Sequence, residues 1–401
     1  MFKNRAIVFI LITLMIDAIG VGIVFPIMPD LMARVGAGAT GEGAFWGGLL
    51  MAAYAGALFL CGPVVGSLSD KIGRRPILIA ALSMLALDYA IMALAGSFWL
   101  LLIGRTLAGL AGATYITATA YIADISSPEE KSANFGLVGG AFGIGFVLGP
   151  AIGGLAAEIS LTAPFWLAAF LSGGNALFGY FNLPESLPEN KRRPFGKRDL
   201  NPFKSILDAF RSPGLAIPLI CIFTFEFANL VYPTIWAFWS REVFGWSTLY
   251  IGLSLAVYGI LLATFQAGLM PVILKWIGNF PTLMLSIAAA VISMIGFGFT
   301  STLAALAIFI VLAAFSDLVP VLLTALASNT VDDNKQGVVQ GVIASLSSVA
   351  AIISPLVMTA LFQASVDPVG PYMPGAPFLF AAILVAGMMP LAIKLRGHRS
   401  G

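Results

Sequence analysis

Twelve apolar runs, each close to the length of a bilayer crossing, leave this chain few ways to fold. They lie at about 5–31, 44–69, 76–96, 98–121, 132–157, 162–182, 213–240, 248–270, 281–300, 303–327, 337–363 and 377–395. A helix needs about 20 apolar residues to cross a hydrocarbon core. Hydrocarbon supplies no water to backbone amides, so only helices or a closed barrel can cross it. The runs lack the alternation of strands, so the expected fold is an all-α membrane protein with twelve transmembrane helices. At 59% hydrophobic and 10% charged residues, the chain is far from the composition of a soluble domain.

An even number of crossings puts both ends on one side. If that side is cytoplasmic, then of the 21 Lys and Arg residues only Arg34 and Arg241 fall outside, and Arg105 lies within a run. The positive-inside rule selects this orientation. Lys3 and Arg5 precede a run too long for a signal-peptide core, so it is expected to stay as the first crossing. Cys61 and Cys221 sit in apolar runs and suggest no disulfide framework, and His398 is the single histidine. No metal site, cofactor or intramembrane histidine proton carrier is therefore expected. No nucleophile–base set or phosphate loop points to an enzyme, and the basic residues, confined to loops, do not point to nucleic acid.

Between the second and third runs lies Gly66-Ser67-Leu68-Ser69-Asp70-Lys71-Ile72-Gly73-Arg74-Arg75-Pro76, the densest cluster of charge. It reads as a tight cytoplasmic turn. Gly66 and Gly73 let the backbone bend, Asp70 can accept hydrogen bonds at a helix N-terminus, and Arg74 and Arg75 can pair with carboxylates. One reading is a purely topogenic loop; the other is a latch that closes one face of a transporter, with Asp124 as a further member. The longest connection, 184–212, divides an N-terminal six-helix bundle (1–183) from a C-terminal one (213–401). Its Lys/Arg run reads as a solvated linker, or else as an anionic-lipid contact. A shift of 205 residues carries Gly73 onto Gly278, Pro76 onto Pro281, Gly136 onto Gly341 and Pro150 onto Pro355. Two halves repeated in the same orientation imply a two-fold axis along the membrane normal, with the substrate site between them.

Four acids lie near the middle of their runs: Asp17, Asp88, Glu226 and Asp317. At 1.5 Å per residue each sits roughly 18–21 Å along its helix, near the middle of a core about 30 Å thick. Charges there mark ion pathways or are answered by a local partner. Desolvation penalises the carboxylate form, which makes proton uptake near neutral pH possible. Gly20, Gly22, Pro26 and Pro29 follow Asp17 and let that helix bend. Arg105 must be paired or wet, and reads either as a tuner of a nearby carboxylate or as a fixed ion pair. The fifth run carries Gly136, Gly139, Gly140, Gly143, Gly145, Gly149, Gly153 and Gly154 with Pro150, a surface for close packing or for a sliding gate. Phe25, Tyr115 and Trp236 are candidate cavity aromatics, each also explicable as packing, and Asn229 and Gln266 are candidate polar contacts.

Several of these stretches resemble the major facilitator superfamily, and within it the tetracycline efflux family of drug/proton antiporters. Gly66 to Arg75 resembles the signature loop of the superfamily. Arg105-Thr106-Leu107-Ala108-Gly109 resembles its fourth-helix motif, and Gly145-Phe146-Val147-Leu148-Gly149-Pro150-Ala151-Ile152-Gly153-Gly154 its antiporter motif. Leu183-Pro184-Glu185-Ser186 and Gln336-Gly337-Val338-Val339-Gln340-Gly341 are similar to the tetracycline branch. Two positions depart from that branch: Leu262 stands in place of a histidine, and Ile287 to Val291 holds no acid. The resemblance implies a proton-coupled multidrug exporter, a functional monomer of the bacterial inner membrane related to antibiotic resistance. Asp17, Asp88 and Arg105 are then assigned to proton coupling. The resemblance does not supply Glu226 or Asp317; from their place in the runs these two, with Asn229, Trp236, Gln266, Phe25 and Tyr115, are assigned to the substrate, and the excess of central acids over one arginine favours an amphipathic cation or zwitterion. Gly66, Asp70, Gly73, Arg74, Arg75, Asp124, Gly145, Gly149 and Pro150 are assigned to gating. Proton-coupled uptake, transport of a lipid-like solute and a non-transporting receptor remain as alternatives.

Overall fold

The computed structural model describes residues 2–112, 114–192, 214–328 and 336–397. Residues 193–212 of the linker, with its basic run, lie outside the described residues, as do Lys335, His398 and Arg399. Twelve helices follow the twelve apolar runs. They are α1 (Phe2–Arg34), α2 (Gly41–Ile72), α3 (Arg74–Leu94), α4 (Phe98–Ile125), α5 (Pro128–Ala157) and α6 (Ala163–Asn182). Then come α7 (Ala216–Phe244), α8 (Thr248–Ile277), α9 (Asn279–Phe299), α10 (Leu303–Ser328), α11 (Gln336–Ser365) and α12 (Ala376–Lys394). Among the described residues eleven helices are long and apolar enough to cross a membrane, and α6, of 20 residues, stands at the sixth expected crossing.

The helices overrun the apolar stretches where capping chemistry lies beyond them. Thus α5 begins at Pro128, not 132, because Ser127 and Glu130 form a capping box and proline suits the first helical position. Four helices that read as continuous are interrupted. α4 breaks between Ala111 and Thr114, α7 at Leu230, α10 at Asp317, and α8 carries a π-helical turn at Thr264–Leu269. Both copies of the repeated turn close on a glycine of positive φ, Gly73 at 120° and Gly278 at 81°.

Two compact units emerge. Met1–Gly38, Ala53–Asn201 and Ser247–Ala256 form one, and Ala39–Ala52, Pro202–Trp246 and Val257–Gly401 form the other. The first turns of α2 thus cluster with the second unit, and those of α8 with the first. Glycines allow both approaches: a Cβ at Gly41 would fall 2.7 Å from Val366, and one at Gly154 would fall 3.1 Å from the Thr248 carbonyl. The hydroxyl of Thr248 donates to Asp30 at 2.5 Å.

In the first unit α1 lies along α5. Gly145, Gly149 and Gly153, four residues apart, face the carbonyls of Met15, Ile19 and Ile23, also four apart. A Cβ would fall 2.7 Å from Ile19 at Gly149 and 2.9 Å from Ile23 at Gly153. Only glycine permits this backbone-to-backbone seam. Gly136, Gly139, Gly140 and Gly143 of the same helix meet nothing within 4 Å, so the eight glycines divide into a packed set and an open one. In the second unit Trp236, Trp239, Phe297 and Phe378 interlock, with Trp236 to Phe297 at 5.5 Å and Trp239 to Phe378 at 5.2 Å. Trp236 is buried in this cluster.

The seam predicts opposite outcomes for one substitution at two glycines of α5. Gly149→Ala overpacks the α1 contact and costs about 1–3 kcal/mol. Gly139→Ala enters open space and gains about 0.5–1 kcal/mol from helix propensity. Melting in detergent checks this, and equal shifts of the two variants would rule out the seam as the tighter contact.

Candidate functional site: buried carboxylates in each unit

In the first unit the site is built on α1, α2, α3 and α4. Asp88 of α3 is fully buried and forms an ion pair with Arg105 of α4. Gly104 makes room for the carboxylate, since a Cβ there would fall 2.8 Å from Asp88 Oδ1. The guanidinium lies over two aromatic rings, 5.6 Å from Tyr54 and 5.7 Å from Tyr89. A cation in hydrocarbon is thus answered by one carboxylate and two π faces. Asp17 of α1 is buried as well, and its charge bears on both tyrosines. No ion-pair partner for Asp17 is found among the described residues. Gly20, one turn on from Asp17, is where the Tyr89 ring presses against α1.

In the second unit the interruptions of three helices meet. Asn229 ends the first segment of α7, Gln266 sits in the π turn of α8, and Asp317 occupies the break in α10. Asn229 Nδ2 donates to Asp317 Oδ1 at 2.8 Å, and the Tyr258 hydroxyl donates to Oδ2. Gln266 Nε2 reaches the Asp317 backbone carbonyl at 3.2 Å, tying the π turn to the break. Glu226, half-buried one turn before Asn229, lies within electrostatic range of Asp317. Tyr232 packs beside Tyr258 at 6.3 Å and hydrogen-bonds Ser293 at 3.2 Å. Broken helices and π turns inside a membrane expose backbone groups where ligands bind.

The turn between α2 and α3 forms a third cluster. Arg74 reaches Asp70 at 2.5 Å, Asp124 at 3.2 Å and the Ser69 hydroxyl at 2.6 Å. Ser69 in turn donates to the Gly66 carbonyl at 2.7 Å. The backbone amides of Arg74 and Arg75 donate to the two oxygens of Glu185, at 2.8 and 3.2 Å, so a carboxylate caps the α3 N-terminus. Gly73 is required twice over: its φ is positive, and a Cβ would collide with Glu185. Arg75 Nη2 donates to the Tyr180 carbonyl at 2.5 Å.

Of the candidate aromatics, Phe25 packs edge-on against Phe146 at 6.0 Å and Tyr115 against Phe142 at 5.4 Å, both on α5. Tyr115 keeps 41% of its surface exposed, whereas Trp236 keeps 5%. Sequence reading missed Tyr54 and Tyr89 as the rings around Arg105, and Glu185 as the cap of α3. The tyrosines carried no spacing signal. Glu185 stood inside a stretch singled out for its resemblance, yet no rule of spacing ties it to Gly73.

Residues 10–355 match the family described as Major Facilitator Superfamily. Tetracycline resistance protein, class C, of Escherichia coli is 40% identical over 366 residues, 91% of each chain. The class E protein, also from Escherichia coli, is 34% identical over 365 residues, covering 90% of this chain and 89% of the relative. The crystal structure of the human organic anion transporter MFSD10 (TETRAN) has a TM-score of 0.71 at 25% identity, over 97% of this chain and 99% of that one.

The two acids of the first unit differ in what their loss does to stability. Asp88→Asn leaves Arg105 charged and uncompensated, and is expected to cost about 3–5 kcal/mol. Asp17→Asn removes a buried charge that has no cationic partner here, and is expected to be neutral or stabilising. Thermal unfolding in detergent separates the two, and a comparable loss in both variants would show Asp17 to share the pair.

Proposed function

Because the chain belongs to the Major Facilitator Superfamily and is a multi-pass membrane transporter, not an enzyme, we propose that it exports an amphipathic cationic or zwitterionic small molecule in exchange for protons. Asp17 carries this reading: it is a buried carboxylate within electrostatic range of Tyr54 and Tyr89, while Arg105 is engaged by Asp88. Such a group can be neutralised by a proton or by a cationic ligand, and the two compete. Competition of this kind links their binding with opposite sign, typically by 1–3 kcal/mol.

Asp88 and Arg105 hold the frame of this site, and Glu226 and Asp317 supply negative charge for the ligand. Asp317 is held by neutral donors, so its charge stays available to a cation. The Asp70–Arg74–Asp124 cluster with Gly73 latches one end of the first unit, and Gly145, Gly149 and Pro150 form its sliding seam. The protein acts as a monomer in a bacterial inner membrane with both ends cytoplasmic, as its basic loops favour.

Asp17→Asn mimics the protonated state permanently. It is expected to abolish uphill export driven by a pH gradient in proteoliposomes and to remove most of the ligand-induced proton release in detergent. Undiminished release would move the proton to another acid. A panel of permanent cations, zwitterions and organic anions tests the substrate class, and anion export without cation export would overturn it.

Tetracycline itself is expected to be a poor substrate, because Leu262 and the Ile287–Val291 stretch, Ala289 included, supply neither imidazole nor carboxylate for a metal chelate. Expression in a sensitive host checks this. Strong magnesium-dependent tetracycline resistance would refute it.

A further inference from the structure

A groove of about 870 Å³ runs along the outside of the first unit between α1 and α6. The two helices are antiparallel here. Phe9 stacks on Phe178 at 5.8 Å, and Asn175 donates to Thr13 at 2.9 Å, so the start of α1 meets the end of α6. Val8 and Ile12 from α1 and Phe170 and Phe178 from α6 give the groove its exposed apolar walls.

Its polar groups lie unevenly. Asn175 is satisfied by Thr13, and Asn182 donates to the Phe178 carbonyl at 3.0 Å. Arg5 stands at the end where Asn182, Leu183 and Pro184 close the groove, and no acidic partner for it is found among the described residues. From Arg5 to Ile16 the groove follows roughly 16 Å of helix, against about 15 Å for one leaflet of a 30 Å core. A cationic group at the water boundary and an apolar channel one leaflet deep fit a single kind of occupant.

We propose that this groove binds one anionic glycerophospholipid of the surrounding leaflet, with an acyl chain along Val8, Ile12, Phe170 and Phe178 and the phosphate on Arg5. Basic pockets between transmembrane helices recognise anionic head groups in this way. A zwitterionic head group would need a carboxylate for its amine, and none lines the groove. The site is separate from the buried carboxylates and does not depend on which solute is carried.

Gly174 lines the groove, and a Cβ there meets nothing within 4 Å, so a larger side chain can fill the channel without pushing the helices apart. The test is native mass spectrometry of the full-length protein in detergent, titrated with phosphatidylglycerol and with phosphatidylethanolamine of the same chains. The wild type is expected to bind its first phosphatidylglycerol more tightly than its first phosphatidylethanolamine. Arg5→Ala is expected to weaken phosphatidylglycerol about fivefold and leave phosphatidylethanolamine unchanged. Gly174→Phe is expected to remove the first-bound lipid of either kind while the melting temperature stays at the wild-type value. Gly174→Leu decides where the phenylalanine variant fails to accumulate. Wild-type lipid occupancy in a folded Gly174 variant overturns the groove, and an unchanged phosphatidylglycerol affinity in Arg5→Ala overturns the head-group contact.

Discussion

Hydrocarbon offers no hydrogen bonds, so every departure from apolar helix must be answered within the chain. The whole structure follows from how those answers are found. At the break of α10, Gln266 from the π turn of α8 donates to the Asp317 carbonyl. The α3 N-terminus presents free amides, and Glu185 accepts from two of them. The one cation set deep in a helix, Arg105, is met by Asp88 and by two tyrosine rings.

Charge is held in two different ways. Asp88 is locked against a permanent cation, and neither partner can leave without stranding the other. Asp317 is held by an amide and a phenol, which donate hydrogen bonds but bring no counter-charge. Asp17 lies within electrostatic range of two tyrosines and has no ion-pair partner among the described residues. The first kind fixes two helices to one another, and the second leaves a carboxylate without a counter-charge.

Glycine works alongside these polar answers. Gly145, Gly149 and Gly153 bring α5 onto the backbone of α1, and Gly104 admits the Asp88 carboxylate beside α4. These are contacts in which a single methyl group would have to displace a carbonyl or a carboxylate. The same helix that meets the α1 backbone at one stretch has open space at Gly136, Gly139, Gly140 and Gly143. One residue type thus serves packing in one part of α5 and open space in another.

The helical crossings and the repeated turn were legible in the sequence, because hydropathy is a property of a helix taken alone. Helix interruptions were not. Leu230 and Asp317 sit in apolar stretches that would continue a helix by propensity, and at Asp317 side chains of α7 and α8 supply three hydrogen bonds. Depth also leaves the direction around the helix axis undefined. Asp17 and Asp88 lie about equally far along their helices, yet Asp88 pairs with Arg105 and Asp17 has no ion-pair partner among the described residues. That assignment, like the capping of α3 by Glu185, depends on how the helices are rotated and packed. Sequence alone therefore determined that this chain crosses a membrane with acids inside its helices. The tertiary structure decided which of those acids is neutralised by a fixed partner and which stays free, because pairing requires two helices to present the right faces at a few ångströms.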